Sequence, residues 1–283
     1  MTDKNASKHV TIAILDQPVT STNTATPSKN HHHKSQKIHA LFAATKFNFL
    51  VSMTNPYQLG FALGMPLFMY FMFGVGAEYS QYELAHGNVS AQILVSMTTY
   101  GALIALSTHG VNTVLERTNG WVRQIALTPL GVGGWTISKI VSGLMVTMLL
   151  IAVTFSIGGI VEAEMEPSVW VATAVTVWLT SAMASPMGLA AAYWVRSDSA
   201  FAVVGGGSSV LAFASGMFIP LDQLGELMKT IAPYMPFYGV NRVPLAFIFG
   251  LEELELFDIA SVIVWFVIFT GLALLGAKYR VER

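Results

Sequence analysis

The chain has 283 residues, of which 53% are hydrophobic and only 11% are charged, whereas soluble domains carry about 25% charged residues. The formal net charge of −1 argues against a nucleic-acid partner. Because the chain has no cysteine, a disulfide framework and a thiolate metal site are both excluded.

The first 35 residues are polar, with many Thr, Ser, Asn, Lys and His and no sustained periodicity. Such a composition cannot bury enough apolar surface to fold, so we predict a disordered cytoplasmic tail over residues 1–35. The tract HHHK at residues 31–34 could bind a metal ion. A solvated basic tract is the favoured interpretation, because three consecutive histidines offer no cage. The remaining residues, 36–283, are predicted to form one transmembrane domain.

Over residues 36–55, apolar residues recur at near-helical spacing and polar residues lie between them. The apolar positions are Ile38, Leu41, Phe42, Phe49 and Met53. Pro56 then ends the segment, because proline interrupts a helix. We predict an amphipathic helix that lies at the inner membrane surface. The alternative is a simple lead-in to the first membrane span.

Six stretches are long and apolar enough to cross a bilayer as helices, which takes ~20 residues each. They are residues 57–77, 91–114, 136–160, 169–195, 200–219 and 259–277. The class that accommodates them is an all-α, polytopic membrane protein with six transmembrane helices.

Charge sorting predicts how these spans are oriented. Of the 15 Lys and Arg residues, only Lys229 and Arg242 fall on one side of the six-span topology, and the others share the opposite side with both termini. Acidic residues show the reverse preference. The positive-inside rule therefore predicts cytoplasmic termini in a cell inner or plasma membrane.

The segment between the last two spans, residues 220–258, is too long for a tight turn and too apolar for free solvent. Pro233 and Pro236 divide it into two short helices, neither of which can span a bilayer. We predict an extracytoplasmic re-entrant pair, which the outer leaflet tolerates when protein covers the broken backbone.

The predicted spans carry few groups capable of chemistry. No Asp or Glu lies in the middle of a span, which disfavours coupling to an ion gradient. His109 is interpreted as a helix-packing residue, with a proton relay as the alternative. The chain has no phosphate-cradling loop with a Gly-Lys pair and no recognisable catalytic constellation. We therefore predict that it is not itself an enzyme.

One connecting stretch, ERTNGWVRQIALTPL, is charged and aromatic although it lies between two apolar spans. We predict a short cytoplasmic helix that Glu116 and Arg117 open. Trp121, Ile125 and Leu127 would be its apolar anchors, and Arg123 would add charge. Trp and Arg favour a protein interface, but a helix lying on anionic lipid uses the same residue types. The residues alone leave both interpretations open.

The longer stretch ERTNGWVRQIALTPLGVGGWTISK resembles the signature of the ABC-2 family of permeases. The matching positions are Glu116, Arg117, Gly120, Arg123, Thr128, Pro129, Leu130 and Lys139. A second hallmark of that family follows the fifth span and is carried by Ser215, Gly216, Pro220, Pro236 and Arg242. The resemblance covers residues 36–283, and GWVRQIALTPL looks closest to the daunorubicin- and multidrug-type branch.

This resemblance implies the transmembrane subunit of an ATP-binding-cassette exporter. Its substrate would be apolar or amphipathic, a drug-like molecule or a lipid, moved out of the cytoplasm or inner leaflet. Two copies of a separate ATPase subunit would bind ATP and Mg, so this chain needs no cofactor or metal. A second permease copy would complete a homodimer. The alternative is a non-transporting scaffold, immunity or sensor protein of the same topology.

The resemblance also implies roles for individual residues. The ATPase-coupling interface would comprise Glu116, Arg117, Trp121, Arg123, Leu127, Thr128 and Pro129. The re-entrant helices, with Pro220, Pro233, Pro236 and Arg242, would close the pathway on the outside.

A substrate pathway is predicted from the density of Phe and Met in the first span. Its candidate residues are Phe68, Tyr70, Phe71, Met72, Phe73, Met97, Phe213 and Met217. Ordinary packing or lipid-facing positions are the alternative. Small residues at Gly60, Gly64 and 205–209 predict a dimer seam that includes the first and fifth spans, with packing of spans within one subunit as the alternative.

The predicted topology can be tested by cysteine labelling, since the chain has no native cysteine. Cysteines at Gln223 and Glu253 should react with a membrane-impermeant thiol reagent added to intact cells, because both lie in the predicted outer segment. Labelling that requires permeabilised cells would reverse the assigned orientation.

Overall fold

The computed structural model describes residues 29–118, 120–128, 130–195 and 197–281, so most of the predicted tail, residues 1–28, lies outside the described residues. The fold is helical apart from one short hairpin. Its helices are α1 (Lys29–Met53), α2 (Pro56–Leu59), α3 (Met65–Phe73), α4 (Val89–Thr118), α5 (Trp121–Ala126), α6 (Gly131–Val161), α7 (Pro167–Ser181), α8 (Ala184–Trp194), α9 (Ser197–Ala214), α10 (Glu226–Ile231), α11 (Tyr238–Phe249) and α12 (Leu256–Val281). The hairpin pairs β1 (Glu83–Leu84) with β2 (Gly87–Asn88) in antiparallel register.

Within the described residues, four helical segments are long and apolar enough to cross a membrane. They are Val89–Glu116, Gly131–Val161, Pro167–Trp194 and Leu256–Tyr279. They coincide with the predicted second, third, fourth and sixth spans. Two shorter apolar helices, Ala62–Phe73 and Ser199–Ala214, correspond to the first and fifth. The chain is therefore a multi-pass, helical membrane protein, and the count of six spans stays a prediction.

Glycines shorten the first and fifth spans relative to their predicted ends. The first ends at Phe73 rather than at residue 77, because Gly74 caps α3 by donating to the Tyr70 carbonyl at 2.6 Å and Gly76 takes a positive φ of 74°. The fifth ends at Ala214 rather than at residue 219, since Gly216 has a φ of 76°. Left-handed backbone of this kind does not continue a helix.

The fourth span, predicted as one helix over residues 169–195, is interrupted between α7 and α8. Ala182 and Met183 make short turns back to the carbonyls of Leu179 and Thr180. Pro186 lies in the first turn of α8, where its missing N–H is best tolerated. The interruption separates two segments that both pack on α4, while α7 also packs on α11 and α8 also packs on α12.

Helix α4 is the centre of the bundle. Its apolar window is the most deeply buried of the four spans, whereas that of α12 is the least buried. Helices α3, α6, α7, α8, α9 and α11 all pack against it. The contact with α8 is closest, because a Cβ added at Gly110 would lie 2.6 Å from the Ser185 carbonyl oxygen. Small residues therefore set how near these two backbones can approach.

Several hydroxyl groups of α4 are satisfied within that helix. Thr99, Ser107 and Thr113 of α4 donate to the carbonyls of Val95, Leu103 and His109, each four residues earlier, at 2.7–2.8 Å. A polar group that bonds its own helix costs little in a bilayer, where water cannot serve as a partner. The polar residues of α4 are thus compatible with its central position.

At the opposite end of the bundle from α5, Glu162 ties three loop groups together. Its carboxylate accepts hydrogen bonds from Gly76 N at 3.0 Å, Ser80 Oγ at 3.1 Å and Gln81 Nε2 at 3.3 Å. The backbone N–H of Gly76, followed by the Ser80 and Gln81 side chains, lowers the pKa of Glu162, because these donors stabilise the charged form. The loop after the first span is therefore fastened to the end of α6.

Asn88 fastens the hairpin to the same region. Its Oδ1 accepts from Ala91 N at 2.9 Å and Glu164 N at 3.1 Å, and its Nδ2 donates to the Glu162 carbonyl at 2.9 Å. The first of these bonds caps the start of α4, whose leading N–H groups would otherwise lack partners. The hairpin thereby defines where the central helix begins.

The segment over residues 220–258 contains two short helices, α10 and α11, and Pro233 and Pro236 lie between them. A third proline, Pro244, lies inside α11. Helix α11 packs on α7 and α12, so protein covers one face of this broken stretch. Its predicted position in the outer leaflet stays a prediction.

The α4–α8 contact yields a stability prediction. Gly188→Ala should destabilise the fold by about 2 kcal/mol, because the added Cβ would overlap the Ser107 carbonyl oxygen. Gly271→Ala in α12 is the matched control, since a Cβ there meets nothing within 4 Å, and it should be neutral or stabilising by up to about 1 kcal/mol. Thermal unfolding in detergent measures both, and equal melting temperatures for the two variants would contradict the packing argument.

Candidate functional site

The connecting segment between α4 and α6 consists of the short helix α5 with a turn on each side. Gly120 leads into α5 with a φ of 78°, a conformation that glycine adopts without strain. After α5, the N–H and hydroxyl of Thr128 both donate to the Ile125 carbonyl, at 2.9 Å and 2.7 Å. Gly131 then donates to the Thr128 carbonyl at 3.2 Å and opens α6. The segment is thus an ordered projection from two long helices.

Apolar side chains of this segment divide between the interior and the surface. Ile125 is buried, whereas Trp121 is 46% exposed and Leu127 is 90% exposed. Thr128 is also exposed. Of the other predicted coupling residues, the side chains of Arg117 and Arg123 and all of Pro129 lie outside the described residues. The exposed pair, Trp121 and Leu127, gives the projection an apolar outer surface.

Glu116 and Arg117 do not open the short helix, contrary to the prediction. Both belong to the last turn of α4, and α5 begins only at Trp121. The prediction was wrong because α4 continues as a helix beyond its apolar residues and ends only at Thr118. Glu116 points to α6 instead: its Oε1 accepts from Lys139 Nζ at 2.5 Å and its Oε2 accepts from Trp135 Nε1 at 3.2 Å.

The ion pair between Glu116 and Lys139 is unevenly buried. The Lys139 side chain is 8% exposed and that of Glu116 is 32% exposed. Lys139 Nζ also lies 5.4 Å from the centre of the Trp135 ring, within the range of a cation–π interaction. Carboxylate, ammonium and indole therefore form one cluster that joins the end of α4 to the first two turns of α6.

Helix α1 is attached to this cluster through Asn48. Its Nδ2 donates to Ser138 Oγ at 3.0 Å, and Ser138 Oγ donates to the Trp135 carbonyl at 2.7 Å. Thr45 and Ser52 are buried on the same face of α1, while Ile38 and Phe42 are exposed. Of the predicted apolar stripe, Leu41, Phe49 and Met53 are also partly buried on the face that packs on α6. The position of α1 at the inner membrane surface stays a prediction.

Sequence reasoning missed Asn48, Trp135 and Ser138 as parts of this site. The polar residues Thr45, Asn48 and Ser52 recur at helical spacing within an apolar helix, and that pattern could have indicated a buried polar seam. The partner residues on α6 could not be found in the same way, because they lie about 90 positions away in the chain.

The cluster forms one wall of an open cavity of about 350 Å³. Phe47, Asn48 and Val51 of α1 line one side, and Trp121 of α5 lies across from them. Glu116, Trp135 and Lys139 complete the lining. The cavity, here called the α1–α5 groove, combines aromatic walls with one charge of each sign. Its chemistry suits binding; it offers no nucleophile and base arranged for catalysis.

The predicted pathway residues do not converge in this structure. Tyr70 and Met97 belong to one buried core cluster, where the Tyr70 hydroxyl lies 3.0 Å from Ser90 Oγ. Met217 belongs to a second buried cluster. The others are exposed on the surface of the bundle: Phe68, Phe71, Met72, Phe73 and Phe213. A pathway along them stays a prediction.

The predicted outer residues lie in and around α11. Arg242 Nη2 donates to the Glu253 carbonyl at 3.3 Å, which links α11 to the turn before α12. Pro220 precedes the short turn Leu221–Gln223. Pro233 and Pro236 separate α10 from α11. Among the described residues, no group of three or more His, Asp or Glu residues could hold a metal ion.

Comparison with known proteins places the chain among transport permeases. The family model for the ABC-2 type transporter matches residues 39–243, which include α5, the α1–α5 groove and the first half of α11. The chain is also 23% identical over 192 residues to "Putative transport permease YvfS" of Bacillus subtilis (strain 168), an alignment that covers 65% of this chain and 75% of that protein.

The uneven burial of the ion pair predicts unequal effects when either partner is removed. Glu116→Ala leaves the buried Lys139 ammonium unpaired and should cost about 3 kcal/mol. Lys139→Ala leaves a carboxylate that water can reach and should cost about 1 kcal/mol. Denaturant unfolding of the two purified variants measures the difference. A larger loss for Lys139→Ala would contradict the assignment of the buried partner.

Proposed function

The chain belongs to the ABC-2 type transporter family, the membrane component of ABC transporters, and we propose that it is the permease subunit of an ATP-driven exporter. Its substrate is an apolar or amphipathic molecule, drug-like or lipid, that leaves the cytoplasm or the inner leaflet. A separate ATPase subunit, present in two copies, binds ATP and Mg and supplies the energy. A second copy of this chain completes the transporter as a homodimer.

The observation that carries this proposal is the apolar outer surface of the segment around α5. Leu127 is almost fully exposed and Trp121 is half exposed, although both are apolar and lie on an ordered projection. Exposed aromatic and aliphatic anchors of this kind favour a protein interface. The family implies an ATPase partner, and that partner would bind the projection around α5.

The contacts behind α5 explain how force would reach the membrane. Helix α5 follows directly from α4, and the Glu116–Lys139 pair joins the end of α4 to α6. Helix α4 in turn meets α8 at backbone distance. A displacement of α5 would therefore move α4, α6 and α8 together, since close-packed helices transmit displacement without much compression.

The spans favour an apolar or amphipathic substrate over a polar one. Glu116 and Lys139, the charged residues near the inner end of α4 and α6, are paired with each other. The surface residues Phe68, Phe71 and Met72 of α3 add an exposed apolar face. Aromatic and Met side chains adapt to apolar ligands of varied shape.

The coupling proposal predicts a strong effect of Leu127→Asp on ATPase binding. A buried anchor lost from an interface costs about 2 kcal/mol, which is roughly a thirtyfold loss of affinity. Leu227→Asp is the matched control, because Leu227 is also exposed but lies on α10, on the side that the charge pattern assigns to the exterior. Co-purification with the cognate ATPase should fail for the first variant and succeed for the second.

Two further substitutions separate a protein interface from a lipid surface. Trp121→Ala should weaken the complex, and Arg123→Glu should weaken it more, because charge reversal adds repulsion to the lost contact. A helix that only lies on anionic lipid would leave the ATPase complex intact in both variants. A stable, transport-competent complex that carries both substitutions would refute the coupling assignment.

A further inference from the structure

Polar groups in the α1–α5 groove have unused hydrogen-bonding capacity. Asn48 is 2% exposed, and its Oδ1 has no hydrogen-bond partner among the described residues. Lys139 has three donor hydrogens, and the structure records one acceptor for them in the described part of the chain, Glu116 Oε1. Buried polar groups are normally satisfied by protein or by a ligand. The groove thus calls for a ligand that offers both a donor and an acceptor.

The aromatic walls of the groove indicate that the hydrogen-bond donor of the ligand is an ammonium group. Phe47 is 54% exposed and Trp121 is 46% exposed, and both line the groove. The faces of aromatic rings attract an ammonium group that lies within about 6 Å. An ammonium between these rings would also donate to Asn48 Oδ1, whereas Lys139 on the opposite wall suits a phosphate oxygen.

The net charge of the groove also favours a ligand with one positive and one negative group. Glu116 and Lys139 neutralise each other, so the groove as a whole carries no net charge from its described side chains. A ligand of net charge would have to be desolvated without full compensation. A zwitterion that carries one ammonium and one phosphate avoids this cost.

Apolar surface adjoins the groove and would accommodate hydrocarbon chains. Val51 of α1 lines the groove and is exposed, and Leu50 beside it is also exposed. Exposed apolar surface marks interaction sites, and in a membrane protein the occupant beside an interfacial helix is lipid.

From these contacts we infer that the α1–α5 groove binds the headgroup of a zwitterionic aminophospholipid, such as phosphatidylethanolamine, drawn from the leaflet in which α1 lies. The phosphate pairs with Lys139, the ammonium lies between Phe47 and Trp121 beside Asn48, and the acyl chains run along Leu50 and Val51 of α1. The site goes beyond the proposed export function and requires no ATPase.

Native mass spectrometry of the full-length chain, purified in mild detergent without the ATPase, tests this site. The probes are phosphatidylethanolamine, its N-acetylated form, phosphatidylglycerol and free phosphoethanolamine. We expect one phosphatidylethanolamine to be retained per chain. The N-acetylated lipid, which has lost its ammonium, and phosphatidylglycerol should bind about fivefold more weakly. Free phosphoethanolamine should not bind detectably, since it lacks the chains.

Phe47→Ala and Phe42→Ala form a matched pair on α1. Both side chains are exposed, at 54% and 72%, but only Phe47 lines the groove. Phe47→Ala should weaken retention of phosphatidylethanolamine about fivefold, and Phe42→Ala should leave it unchanged. Asn48→Leu, which removes the unpaired oxygen at similar volume, should also weaken it, provided that the variant keeps the wild-type elution profile.

Three results would overturn the inference. Equal retention of phosphatidylethanolamine and its N-acetylated form would show that no ammonium is recognised. Equal loss in the Phe47 and Phe42 variants would place bound lipid elsewhere. Tight binding of free phosphoethanolamine would identify a soluble zwitterion rather than a membrane lipid. None of these results bears on the ATPase complex, so failure here is distinguishable from failure of the coupling proposal.

Discussion

The close approach of α4 and α8 is the constraint on which the rest of the molecule depends. Gly110 and Gly188 leave no room for a Cβ between the two backbones, and the hydroxyls of Thr99 and Ser107 bond to carbonyls of α4 itself. In a bilayer, where lipid is as apolar as leucine, such close packing replaces the hydrophobic effect as the force between helices. The other helices that surround α4 depend on this arrangement, because the central helix sets their spacing.

The central position of α4 also gives the segment around α5 its importance. Helix α5 extends from the end of α4, and Glu116 binds that end to α6 through Lys139 and Trp135. Asn48 then attaches α1 to the same turn of α6. A partner that contacts Trp121 and Leu127 would therefore act on three elements at once. The α1–α5 groove lies where those elements meet, so a lipid bound there would occupy the same junction.

Sequence reasoning predicted the class of the protein and the identity of its main helices from composition alone. It placed the span ends less well, since Gly76 and Gly216 stop their segments before the apolar residues run out. It assigned Glu116 to the coupling surface on the strength of a motif, whereas the Glu116 carboxylate accepts hydrogen bonds from Trp135 and Lys139 of α6. It grouped Tyr70, Met97 and Phe213 by composition, and the fold distributes them between the core and the surface.

By itself, the sequence determined that the chain is a multi-pass helical membrane protein and which short segment links two of its helices. Those features follow from local hydropathy and from turn residues, which act within a few positions along the chain. Only the tertiary structure decided that Glu116 faces Lys139, that Asn48 meets Ser138, and that Thr45, Asn48 and Ser52 of α1 are buried. These pairings join residues that are 23 to 90 positions apart, and side-chain packing in three dimensions, rather than periodicity, selects them.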